Sequence, residues 1–287
     1  MSRKILITGS EGLLGTVIRK NNSYNMDYIP TSLNPQDSNC LKLDITSSKS
    51  VKDCISEFNP DVIINCAAYT DVDTSYINKK KCHDINVVGL SNIVRHSKRD
   101  TKIVHISSDY VFDGENSPYN ENSRTNPLNY YGKTKLESEN LLIGSNKKFL
   151  IFRISTLYDN IGHNFFTFVF NSLNNNENIS IADDQISNPT YASFFANVIL
   201  DSILMDVEGL YHYGSFKSIS RYEFSMLVAD FFNLDKSLIC SVNTNNMNQK
   251  ELRPLNTSFV CDKIIKNLDI ELFPVIESFK KMDLSNG

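Results

Sequence analysis

The 287-residue sequence has no tryptophan, no Cys-x-x-Cys pair, no basic excess and no long apolar run. Its 29 Lys and Arg stand against 33 Asp and Glu, a net charge of −4. General binders of nucleic acid or of membrane surfaces need the opposite balance. No apolar stretch approaches the ~18 residues of a membrane span. The six cysteines (Cys40, Cys54, Cys66, Cys82, Cys240 and Cys261) show no zinc-type spacing with histidine, so no metal site is expected. Each reads as a small buried hydrophobe. The opening MSRKILITGS has no signal-type apolar core and runs straight into a strand pattern. The expectation is a cytoplasmic protein with reduced thiols, with neither nucleic acid nor membrane as a partner.

What is present is an ordinary globular composition, 41% hydrophobic and 22% charged, long enough for one large α/β domain or two lobes sharing a core. Apolar strand patterns in RKILIT, MDYIPT, DVIINCAA, KIVHIS and KFLIFRI alternate with helical patterns such as GLLGTVIRK and SSKSVKDCISEF. Ser47 or Ser48 is a plausible cap for the second of these helices. Continuous apolar strands imply cover on both faces. The alternation predicts an α/β fold with a doubly wound parallel sheet. After about Leu157 the rhythm loosens, although YASFFANVILDSIL and RYEFSMLVADFF keep helical periodicity. The predicted division is a dinucleotide-binding domain over 1–157. A mainly substrate-binding lobe over 158–287 sends segments back to the first sheet.

ITGSEGLLG places Gly9, Gly12 and Gly15 between the first strand and the first helix. Glycines there serve a tight turn, close approach to a pyrophosphate and close helix packing. The helix start then offers free N–H groups to phosphate. The pattern points to a Rossmann-like fold holding a dinucleotide. NAD specificity usually needs an acid at the end of the second strand. YIPTSLNPQ has neither that acid nor an arginine for a 2′-phosphate, so Thr31, Ser32 and Asn34 suit NADPH or NADH. Asp44 and Ile45 sit where they meet an adenine, and Asp44 also reads as a helix-entry residue.

NYYGKTK sets Tyr131 and Lys135 four residues apart, on one face of a helix. Hydride transfer to a carbonyl leaves an oxyanion that needs a proton. A tyrosine supplies it if its pKa is drawn toward neutral, and a lysine one turn away favours the phenolate. A hydroxyl such as Ser108, at the end of KIVHISS, can hydrogen-bond the carbonyl. Tyr-x-x-x-Lys alone is common on helix surfaces; the glycine loop and a strand-end serine upstream turn it into a candidate site. Lys133 points elsewhere on this helix and reads as solvated. Tyr130 reads as a packing residue or a lid over the substrate.

With these motifs the chain resembles the extended short-chain dehydrogenase/reductases and, among them, the dTDP-4-dehydrorhamnose reductases. The segments TGSEGLLG, PDVIINCAAYTDVD, HISSDYVFDG, NPLNYYGKTKLESE, FRISTLY, GHNFF, DDQISNPT, GLYHY and ELRPLNT carry the likeness. It implies NADPH- or NADH-dependent reduction of the C4 ketone of a nucleotide-linked 6-deoxy-4-ketohexose. Tyr131 would be the acid, Lys135 its partner and a ribose contact, and Ser108 the carbonyl anchor. Cofactor contacts would come from Gly9, Ser10, Glu11, Gly12, Leu13, Leu14, Gly15, Asp44, Ile45, Cys66, Ala67 and Ala68, with Tyr131 and Lys135. Thr70, Val72, Ser108, Asp109, Tyr110 and Arg253 would meet the substrate. Arg153 is a second candidate for its phosphates, or else a structural ion pair, and Asn86 a brace. A homodimer stays open.

The chain departs from the family pattern where the sugar would lie. Thr156 stands at a usual tryptophan, Arg221 at a usual aromatic and Ser187 at a usual glycine. The regulatory β subunit of methionine adenosyltransferase resembles the same segments, so a non-catalytic NADP-binding subunit is an alternative, although AAYTDVD is closer to the reductases. An epimerase is a further alternative. A 4,6-dehydratase would need a second acid after Ser108-Asp109, where this chain has Tyr110.

Overall fold

The computed structural model describes residues 2–21 and 23–282. Met1 and residues 283–287, at the ends of the two predicted regions, lie outside the described residues. The first six strands are β1 (Arg3–Thr8), β2 (Met26–Ser32), β3 (Leu41–Lys42), β4 (Val62–Asn65), β5 (Lys102–Ser108) and β6 (Phe149–Tyr158). They lie in the order β3-β2-β1-β4-β5-β6, and all their pairings are parallel. This is the doubly wound Rossmann-type order, which reverses direction between β1 and β4.

The apolar runs explain the layering. Successive side chains of a strand point to opposite faces. Ile5, Ile7, Ile64, Val104 and Phe152 enter one core with Leu14 and Ile18. Their neighbours Leu6, Ile63, Ile103 and Ile151 enter a second core with Ile55, Leu90 and Leu142. Helix α1 (Leu13–Lys20) lies on the first face. On the second lie α2 (Ser48–Phe58), capped by Ser47, and α5 (Gly89–His96), with α6 (Tyr130–Ile143) beside it. Short helices α3 (Val72–Ser75) and α4 (Lys79–His83) precede a wide π-type turn at Asp84–Val88 that runs directly into α5.

The second half divides its chain between the sheet and a separate core. Helix α7 (Phe165–Asn174), β7 (Ile179–Ala182) and β8 (Ile186–Ser187) come first. Strand β9 (Pro189–Tyr191) then pairs with the far end of β6. Helix α8 (Ala192–Leu204) packs beside α1, and β10 (Gly209–His212) extends the sheet next to β6. Strand β11 (Ile219–Ser220), helix α9 (Arg221–Phe231) and β12 (Ile239–Val242) follow, then α10 (Asp262–Leu268) and α11 (Val275–Phe279). Phe166, Val169, Phe224, Val228 and Phe279 build the additional core between α7, α9 and α11. Strands β3 and β9, of two and three residues, are too short to show a strand pattern in sequence.

Cys40, Cys82 and Cys261 are buried, and Cys54 and Cys66 partly so. Cys240 departs from the expected burial: it lies exposed on the short strand β12. Among the described residues no helix is long and apolar enough to cross a membrane.

Candidate active site

The carboxyl ends of β1, β4 and β5 deliver the glycine loop, Cys66-Ala67-Ala68 and Ser108 to one crevice. Gly9 has φ +62, and a Cβ there would lie 2.8 Å from the Ala67 backbone nitrogen. Glycine therefore lets the first strand's turn close against the end of β4. Gly12 is the N-cap of α1 and brings no side-chain cap, which leaves the first helical N–H groups to an anion. A cavity of about 1150 Å3 opens here, lined by Gly9, Gly12, Ser32, Asp44, Ile45, Ala67 and Ala68 among others. Asp44 also closes the entry to α2, accepting from the Thr46 N–H at 2.9 Å and from its hydroxyl at 2.7 Å.

Two of the residues expected to contact the cofactor turn their side chains elsewhere. Ser10 is fully buried, its hydroxyl 3.3 Å from Cys40 Sγ. Glu11 turns over the loop after β2 and accepts from the Gln36 and Asp37 N–H groups at 2.8 and 2.9 Å. The same glycine turn that exposes the backbone sends both side chains away from the crevice, and neither lines it. The cluster Lys79–Lys81, absent from the sequence reading, does line it. Its run of three lysines before a helical pattern was the available signal.

A second cavity, about 440 Å3, adjoins the first through Gly9, Gly12, Cys66 and Ala68. Leu13, Leu14, Gly15, Thr70, Ser108, Asp109, Tyr131 and Lys135 line it. Asn129 caps α6, accepting from the Gly132 N–H at 2.8 Å. A Cβ on Gly132 would overlap the Tyr110 carbonyl, so this glycine lets the helix start press onto the turn after β5. That contact sets Tyr131 beside Ser108 on the wall of the second cavity. The Tyr110 and Tyr131 rings meet edge-on at 6.1 Å.

The electrostatics differ from the simple expectation. Burial pushes the Tyr131 pKa up. Lys135 is buried, and its ammonium donates to the Ile106 carbonyl at 2.6 Å. Burial lowers its pKa to about 8, with Glu139 opposing. The lysine is held by the strand, and desolvation rather than its charge dominates the tyrosine.

Polar braces surround the pair. Asn86, in the π-type turn, accepts from the Tyr69 N–H at 2.8 Å and donates to Thr134 Oγ1 at 2.9 Å. Thr8 donates to Asn65 at 2.6 Å, and Asn65 Nδ2 lies 3.2 Å from His105 Nδ1. His105 Nε2 is 3.0 Å from Ser138 Oγ, which donates to the Lys135 carbonyl at 2.7 Å. Burial holds the His105 pKa well below its usual value, so a neutral ring links the glycine-loop strand to α6.

A third cavity, also about 440 Å3, shares Thr70 with the second and is lined by Val72, Tyr110, Phe165, Gln185, Arg221 and Arg253. Arg253 pairs with Asp73 at 2.9 Å. Arg221 lies 4.8 Å over the Phe165 ring and donates to Gln185 at 3.1 Å. Thr156, in the second cavity, has φ +38, with its hydroxyl 3.3 Å from that of Ser187. Arg153 is in none of the three. It is buried and grips Glu139 with two nitrogens, at 2.9 and 2.7 Å, which is the structural ion pair rather than a phosphate contact. Tyr130 lies outside the cavities, with Lys79 5.6 Å from its ring, and Lys133 is exposed.

The family model described as the RmlD substrate binding domain matches residues 3–282. The dTDP-4-dehydrorhamnose reductase of Aggregatibacter actinomycetemcomitans is 31% identical over 281 residues, 93% of this chain and 94% of that protein. The methionine adenosyltransferase 2 subunit beta of Xenopus tropicalis is 31% identical over 275 residues, 92% of this chain and 82% of that one. Among solved structures, the Bacillus anthracis dTDP-4-dehydrorhamnose reductase in complex with NADP superposes with a TM-score of 0.91. It is 29% identical and covers 98% of this chain and 99% of its own.

Proposed function

The chain belongs to the RmlD substrate binding domain family, and from that membership we propose that it is an NAD(P)H-dependent reductase. Its substrate class is a nucleotide-linked 6-deoxy-4-ketohexose such as dTDP-4-dehydrorhamnose. The observation that carries the reading is the meeting of Ser108, Tyr131 and Lys135 in one cavity continuous with the glycine loop.

The glycine turn and the open start of α1 hold the cofactor phosphates; Asp44 and Ile45 flank the adenine, and Ala67 and Ala68 the middle of the molecule. The Bacillus anthracis relative's complex with NADP supports NADPH as the donor. When bound, the dinucleotide supplies a hydride. Ser108 and Tyr131 fix the ketone oxygen. Tyr131, whose raised pKa keeps it protonated at neutral pH, gives its proton to that oxygen as negative charge develops. Lys135 provides nearby positive charge and a ribose contact. Thr70, Val72 and Tyr110 face the sugar, and Arg253, with Arg221 near it, meets the diphosphate. In this reading residues 1–157 mainly hold the dinucleotide, and the later chain closes over the sugar. The test is the loss of reduced-nicotinamide absorbance with a panel of 4-keto nucleotide sugars.

The equal identity to a methionine adenosyltransferase subunit favours one second reading, a non-catalytic NADP-binding partner. Binding of NADPH without turnover of any ketone, together with co-purification of a methionine adenosyltransferase, would select it.

A further inference from the structure

Ser108 has one hydroxyl proton, and in this structure Asp109 takes it. Ser108 Oγ donates to Asp109 Oδ1 at 3.0 Å and accepts the Tyr110 N–H at 3.1 Å. Tyr131 lines the same cavity beside it. An ionised carboxylate only accepts hydrogen bonds. While Asp109 is charged, the serine proton is therefore committed inward and unavailable to a ketone. A protonated Asp109 reverses this: the carboxyl can donate to Ser108 Oγ, and the serine proton turns outward toward the cavity.

The surroundings of Asp109 make that protonation accessible. Its side chain is buried, and its second oxygen accepts from Thr257 Oγ1 at 2.6 Å. Facing it are Ser108 and Tyr110 on its own turn, Tyr131 from α6, Thr257 from the segment before α10, and the Arg221 guanidinium from α9. Arg221 is itself engaged by Gln185 and Phe165. Among the described residues no lysine or arginine forms an ion pair with Asp109. Burial outweighs the two hydroxyl bonds and pushes its pKa up to about 6.

We propose that Asp109 is a positioning residue that sets the direction of the Ser108 hydroxyl, and that ketone reduction runs through the form with Asp109 protonated. The inference rests on the reductase reading. No proton leaves Asp109 in the reaction: Tyr131 still supplies the one that reaches the product oxygen. The sign follows directly. The competent form is full below the Asp109 pKa and is lost as pH rises through it, by about tenfold per pH unit well above it.

The test combines kinetics with a substrate-free measurement. With NADPH and dTDP-4-dehydrorhamnose, the wild-type kcat falls along this alkaline limb. In Asp109→Asn the amide donates to Ser108 at every pH and the limb disappears. Thr257→Val keeps Asp109 but removes a bond to its charged form, and the limb moves to higher pH. An unchanged limb in both variants, or an Asp109→Asn enzyme inactive at all pH values while folded, overturns the proposal. Separately, the carbon-13 carboxyl signal of Asp109 is titrated by NMR without substrate. Ser108→Ala raises that titration if the serine proton is committed to the carboxylate, and an unmoved titration contradicts the inference. A wild-type protein that reduces no ketone contradicts the reductase reading, and the NMR result then decides this one.

Discussion

Lys135 is fastened to the backbone of Ile106, its Nζ 2.6 Å from that carbonyl oxygen, on the strand that ends in Ser108. One buried bond thus fixes α6 against the strand carrying the serine. The lysine's reach is set by β5 rather than by its own rotamers. The remaining predictions follow from how this assembly is held.

Gly9→Ala places a side chain at φ +62 and 2.8 Å from the Ala67 nitrogen. The left-handed conformation alone costs about 1–2 kcal/mol for other residues, and the turn must also shift off β4. NADPH affinity, read by fluorescence titration, should drop at least tenfold. Lys133→Ala, an exposed position on α6, should leave it unchanged.

Glu139→Ala strands Arg153, only 4% exposed, without its carboxylate. Breaking such a buried pair costs about 3–5 kcal/mol, which urea unfolding should register as a lower midpoint. If Arg153 met the substrate instead, the change would appear in KM with stability intact.

His212 is buried, bonded to the Tyr119 carbonyl at 3.1 Å, 4.2 Å from the Phe259 ring and beside Arg153. Burial first and Arg153 second push its pKa down to about 3. Between that value and the ordinary 6.5 the unfolded chain binds the proton and the folded one does not. This histidine therefore lowers stability as pH falls through that window, by up to about 1.4 kcal/mol per pH unit. Unfolding curves of His212→Gln should show a shallower acid slope than wild type.

Arg253→Ala should raise KM for the nucleotide sugar by about 10- to 100-fold, the value of a lost charge-assisted hydrogen bond, with NADPH affinity unchanged. Equal weakening of both ligands would move Arg253 out of the substrate site.

Much of this assembly was legible in sequence for identifiable reasons. β1, β4 and β5 are continuous apolar runs because both faces are covered, and the glycine loop sits directly after the first of them. Tyr131 and Lys135 share a face through helical spacing. What stayed hidden depends on turns and distance. The side chains of Ser10 and Glu11 leave the crevice because of the loop's fold. Thr257 meets Asp109 across 148 positions, with no local pattern to mark it. The edge pieces β3, β9 and β10 gain their strand character from neighbours, not from their own residues.

The central claim is that Tyr131 is the acid of a ketone reductase. Its most direct test is single-turnover reduction of dTDP-4-dehydrorhamnose by NADPH in wild type and Tyr131→Phe. The account predicts a rate lower by about 10²- to 10⁴-fold in the variant, with NADPH affinity preserved. An equal rate in the two proteins would contradict it.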